Sequence, residues 1–112
     1  MTLATDQSRY RPGARVSLTL VIRTDATYAF NPCGRLVERE VDGAWRPVEE
    51  PGRICTMAAW LLEPRATRTA TTELPAALDA GRYRLLVALT REGSTPPAER
   101  LQAVSAPFAV AP

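Results

Sequence analysis

Apolar and polar residues alternate along much of this chain. Between Arg15 and Thr24, Val16, Leu18, Leu20 and Ile22 alternate with Ser17, Thr19 and Arg23. A period of two marks a strand with one buried face. Between Gly81 and Thr90, Tyr83, Leu85, Val87 and Leu89 repeat the pattern. These two runs are the expected central strands, and their facing side chains would fill the middle of a two-sheet core. Turn signals divide the rest into short segments at the spacing of about eight to twelve residues found in sandwiches and barrels.

Tyr10-Arg11-Pro12-Gly13 reads as a turn, and Tyr28-Ala29-Phe30 as a short strand closed by Asn31-Pro32-Cys33-Gly34. Leu36 to Val41 and Trp45 to Val48 flank Asp42-Gly43. Asp-Gly between strand-like runs is a strong hairpin signal, since a type I′ turn needs positive φ at both central residues. Ile54 to Leu62 reads as a strand; its second half has helical propensity but is too short to stand alone as a helix. The threonine-rich run from Ala66 to Leu74 suits a strand at a sheet edge, open to pairing with another chain. Pro75 to Leu78 is expected to form a helical turn, and Glu92 to Ala98, with Pro96-Pro97, a loop. A last strand spans Leu101 to Val110, broken near Pro107, with Phe108 and Val110 returning to the core. The expectation is one all-β domain over residues 1–112, an immunoglobulin-like sandwich of two antiparallel sheets with about seven to eight strands.

Composition narrows the class. The 112 residues are 46% hydrophobic and 23% charged, with net charge +2, as in an ordinary folded domain. No run approaches the roughly 18 apolar residues of a membrane span. All fourteen basic residues are arginine, a bias that a GC-rich genome accounts for. They interleave with twelve acids and form no basic stripe, which argues against a nucleic-acid partner. The two cysteines, Cys33 and Cys55, read as a disulfide or as two reduced core thiols. The link between disulfides and exported proteins favours the first. With no histidine and no third cysteine, no metal site is expected.

Catalytic signals are missing. Histidine, the commonest acid–base group, is absent. No nucleophile elbow, P-loop or dinucleotide fingerprint occurs, and no cofactor is expected. Glu38 and Glu40 share one strand face, expected to meet solvent, with Arg39 on the other. Trp45 and Trp60 are candidates for a surface facing a protein or carbohydrate partner; the alternative is packing on the core or a sheet face.

Leu78-Asp79-Ala80-Gly81-Arg82-Tyr83-Arg84-Leu85 resembles the tyrosine corner of immunoglobulin-like sandwiches, with Gly81 and Tyr83 as its key positions. The chain as a whole resembles a family of small bacterial immunoglobulin-like domains. The match rests on Tyr10, Pro12 and Gly13, then Asn31-Pro32-Cys33, Asp42-Gly43-Ala44-Trp45, Cys55, and Ser105-Ala106-Pro107-Phe108-Ala109-Val110. A more distant similarity is to the BsuPI-type intracellular proteinase inhibitors. The resemblance implies the sandwich and a Cys33–Cys55 bridge stapling the hairpin, unlike the core-crossing bridge of antibody domains. It implies no activity.

The functional expectation is a non-catalytic structural or protein-interaction module of a bacterial cell-envelope or secreted protein. Met1-Thr2-Leu3-Ala4-Thr5-Asp6 lacks the charged start and apolar core of a signal peptide, so this reading expects a leader or anchor encoded upstream. The alternative is a proteinase inhibitor that presents Glu92-Gly93-Ser94-Thr95-Pro96-Pro97.

Overall fold

The structure is a computed structural model that describes residues 1–55, 59–93 and 99–112. Along them run β1 (Thr2–Thr5), β2 (Arg9–Tyr10), β3 (Arg15–Val21), β4 (Tyr28–Phe30), β5 (Leu36–Val41), β6 (Ala44–Pro47), β7 (Trp60–Leu62), β8 (Thr67–Glu73), β9 (Gly81–Arg91), β10 (Arg100–Val104) and β11 (Phe108–Val110). One 3₁₀ turn, η1, covers Pro32–Gly34.

These strands form an all-β sandwich. The first sheet has the order β1-β3-β8 and is antiparallel throughout. The second is built around β9, with β4 and β5 along one flank and β10 and β11 along the other. β6 extends it from β5, β7 from β4 and β2 from β11. The β2–β11 pair is parallel, so this sheet is mixed rather than purely antiparallel.

The eleven strands trace eight strand positions, because three are interrupted pairs. β1 and β2 are separated where the chain passes from one sheet to the other. η1 separates β4 from β5; its first residue is a proline, and the Asn31 side chain accepts from the Cys33 amide at 3.0 Å. β10 and β11 are parted before Pro107, which has no amide to give the ladder. Buried Ser105 bridges that break: its amide donates to the Leu85 carbonyl, and its hydroxyl accepts from the Leu85 amide, both at 2.9 Å.

Alternation places the core where expected. Val16, Leu18, Leu20 and Ile22 from around β3 face Tyr83, Leu85, Val87 and Leu89 from β9, all essentially inaccessible. Tyr10 packs edge-on to Phe108 with ring centroids 5.2 Å apart. At Asp42-Gly43, φ values of 51° and 80° give the type I′ hairpin between β5 and β6. β8 lies at an edge of its sheet.

Two local expectations differ from the structure, and one strand carries no sequence signal. Thr2–Thr5, which shows no alternation, pairs with β3 in register Leu3 to Leu20 and buries Leu3. Pro75 to Leu78 forms a non-helical turn. Its neighbours' backbone groups bond instead to the first turn: the Gly13 amide to the Pro75 carbonyl, and the Leu74 amide to the Ala14 carbonyl. Of the described residues within Ile54 to Leu62, Trp60–Leu62 form a strand. Cys55 is tied to Cys33, which holds 51–55 as a loop, and residues 56–58 lie outside the described ones.

Candidate functional site

The hairpin β5–β6 ends in an extended loop that returns to the body of the sandwich. Cys33 and Cys55 are joined by a disulfide, 22 residues apart, so the bridge clasps the hairpin's base. Arg35 follows Cys33 and its side chain is buried. A buried guanidinium is tolerated only when its donors are satisfied. Here Nε donates to the Thr72 hydroxyl at 3.0 Å and Nη2 to the Glu73 carbonyl, both on β8. Nη1 donates to the Glu50 carboxylate in the loop.

The same carboxylate faces a second cation. Arg53 Nε lies 3.5 Å from Glu50, and Arg53 Nη1 donates to the Arg35 carbonyl at 3.3 Å. Burial, with the neighbouring Arg35 charge second, pulls the Arg53 guanidinium below its ordinary range. Arg53 Nη2 lies 3.9 Å from Cys33 Sγ. Glu50 and Cys55 thus hold the loop at two points. Between them Ile54 stands 90% exposed, the most exposed of the large hydrophobic side chains among the described residues.

The tyrosine position has its own geometry. The Tyr83 hydroxyl donates to the Asp79 carbonyl at 2.8 Å. Burial pushes the phenol's pKa up, while the Arg39 charge opposes that shift. Arg39 lies 5.8 Å from the ring and donates to the Ala80 carbonyl at 3.1 Å. A Cβ at Gly81 would meet Arg39 Nε at 3.1 Å, so glycine leaves room for this contact.

The two tryptophans do not share a surface. Trp60 pairs with Phe30 on the inward side of the second sheet, with ring centroids 5.8 Å apart. Arg68 lies over its ring at 4.4 Å. Trp45 pairs with Glu40 on the outward side, under the Arg84 guanidinium at 4.5 Å. Glu38 and Glu40 do face outward, but each is partly covered by an arginine rather than free in solvent. Glu38 meets Arg84 at 2.6 Å and Glu40 meets Arg82 at 3.3 Å. Arg39 lies on the other face, as alternation requires.

Sequence reading found the cysteines and missed Arg35, Glu50, Arg53 and Ile54. Nothing in one-dimensional pattern separates Arg35 from the other thirteen arginines. Among the described residues, no three His, Cys, Asp or Glu side chains gather as a metal set, and no helix is long and apolar enough to cross a membrane. Of the Glu92–Pro97 loop, residues 94–97 lie outside the described ones. No protein-family model matches the chain, and no curated protein matches it.

Proposed function

We propose that this chain is a non-catalytic immunoglobulin-like domain of a bacterial cell-envelope or secreted protein, and that it binds a protein partner through the loop 49–55. The observation that carries this reading is Ile54, held out in water by a loop fastened through Cys55 and Glu50. An exposed apolar side chain on a pre-ordered loop loses little conformational entropy on docking and can act as a binding anchor. The disulfide supports an oxidising compartment. The absence of histidine supports a role without acid–base chemistry.

The test compares the wild-type domain with Ile54→Asp, each immobilised against the envelope and secreted fractions of the source organism. A partner held by the wild type is expected to lose at least tenfold in affinity for the variant, with the unfolding midpoint unchanged. Equal retention of every bound protein would overturn the reading. Alkylation of intact cells before lysis tests the compartment: Cys33 and Cys55 should stay unlabelled until reductant is added.

The same fastened loop favours a second reading, a proteinase inhibitor that offers a rigid segment around Ile54 to a protease cleft. Titration of a serine-protease panel with the purified domain decides it; undiminished activity in every case removes this reading.

A further inference from the structure

A separate feature lies where the chain enters the second sheet, and it does not depend on the loop 49–55. Tyr10 is buried, so its extended neighbours Arg9 and Arg11 leave the chain on the opposite side. Arg11 precedes Pro12, which keeps its backbone extended. The two guanidinium stems therefore emerge side by side, about 7 Å apart. Together with Gln7, Tyr10, Ala14 and Arg15 they line an open cleft of about 480 Å³, completed by Ala111 and Pro112.

The charges in this cleft are unbalanced. Among the described residues, Arg35, Arg39, Arg53, Arg65, Arg82, Arg84 and Arg91 each face a carboxylate, whereas Arg9 and Arg11, like Arg23, Arg46, Arg68 and Arg100, face none; of these six, Arg9 and Arg11 share one cleft. Arg15 has only a loose partner, Glu73 at 3.7 Å, in an exposed pair. The nearby acid in sequence, Asp6, is already engaged. It accepts from the Tyr10 hydroxyl at 2.6 Å and from the Ser17 amide at 3.0 Å. Three guanidinium groups thus line one concavity whose lining holds no acidic side chain.

We propose that this cleft binds a phosphate group. Planar guanidinium forks match the oxygens of a phosphate in pairs of parallel hydrogen bonds. A phosphate carries close to two negative charges and three acceptor oxygens near neutral pH, enough to engage more than one arginine. The cleft is of ligand size, with room for part of the molecule that carries the phosphate. A free phosphate monoester and the monoester headgroup of phosphatidic acid offer this same chemistry.

The experiment titrates the ¹⁵N-labelled domain with phenyl phosphate, with sodium chloride at matched ionic strength, and separately with phosphatidic acid vesicles in phosphatidylcholine. Saturable amide shifts at residues 7–15 and 109–111 are expected with phosphate and not with chloride. Arg9→Gln with Arg11→Gln should weaken binding at least tenfold while leaving the urea midpoint unchanged, since both side chains are exposed. The same titration on a chain carrying two neutral residues after Pro112 should give equal or tighter binding. A phosphate response confined to the free ester or to the vesicles identifies the source. Shifts no larger than those with chloride, or binding undiminished in the double variant, would overturn the proposal.

Discussion

The two open sides of the sandwich are closed by different means. On one side the backbone crosses: β1 lies in the first sheet, and the same stretch of chain continues through residues 6–8 into β2 of the second. Asp6 fastens the crossing through its bonds to Tyr10 and Ser17, and its own amide donates to the Ser17 carbonyl. On the other side, β8 faces η1 and β7, and arginines span the gap. Arg35 reaches from the end of η1 to β8, and Arg68 reaches from β8 to β7, where it donates to the Leu61 carbonyl at 3.1 Å. A crossing made by backbone spreads its stabilisation over many residues. A crossing made by side chains concentrates it in two cations and the disulfide beside them.

That contrast predicts unequal sensitivity. Arg35→Ala leaves Glu50 without its buried partner and the Thr72 hydroxyl and Glu73 carbonyl without a donor. Breaking one member of a buried pair costs about 3–5 kcal/mol, a large share of a net stability of about 5–15 kcal/mol. Urea denaturation should show it as a fall in midpoint with unchanged slope. The sharper control is Arg35→Met with Glu50→Leu, which removes both charges and should recover part of the loss. If Arg35→Ala costs less than Asp6→Ala, the side-chain closure is not where stability is concentrated.

The disulfide comes next. Cys33→Ser with Cys55→Ser frees a loop whose closure is worth roughly 3 kcal/mol on the chain-entropy estimate. The loss should appear as a lower urea midpoint, and wild-type protein in reductant should reproduce it. Because Arg35 and the bridge brace the same loop, their losses should not add. A strictly additive combination would mean that the two act on independent parts of the chain.

On the backbone-closed side, Tyr10→Phe should cost only about 1 kcal/mol, the net worth of one hydrogen bond in a partly exposed setting. Its signature is the pH profile. The Tyr10 hydrogen bond, with the Ser17 amide second, holds Asp6 below its ordinary 3.8. Asp6 therefore contributes fully above that value, and the contribution fades as pH falls through its lower folded pKa. Burial, with the Asp6 bond second, raises Tyr10 above 10.0. Its contribution is full below pH 10 and fades as pH rises beyond it. Tyr10→Phe should flatten the acid limb and reduce the alkaline one; Tyr83, also raised by burial, keeps part of the latter.

These residues also show what a sequence can reveal. Period-two runs expose β3 and β9 because burial on one face leaves a pattern in order along the chain. Asp42-Gly43 is legible because positive φ restricts residue choice. β1 was missed because a single buried residue, Leu3, carries it into the sheet, too little for a period. The helical turn at 75–78 failed because its propensity is local, while its backbone partners lie sixty residues earlier at Gly13 and Ala14. The cysteines pointed to their loop. Arg35 could not be distinguished, since its burial depends on Thr72, Glu73 and Glu50, none of them near it in sequence.

The smallest expected effect tests whether Arg68 belongs to the closure. Register places it opposite Leu20, on the face of β8 that meets the core, and its guanidinium lies over Trp60. A charged residue on the inward face of an edge strand also discourages another chain from pairing there. The residue as a whole is exposed, so water weakens the contact, and a cation over an aromatic ring in such a place is worth about 0.5–1 kcal/mol. A double-mutant cycle with Arg68→Gln and Trp60→Leu isolates that coupling from the packing of Trp60 against Phe30. A coupling in that range makes Arg68 a second, weaker strut beside Arg35. A coupling of zero confines the side-chain closure to Arg35 and the disulfide. The upper part of that opening would then rest on the apolar contact of Trp60 and the turn from β7 to β8 alone.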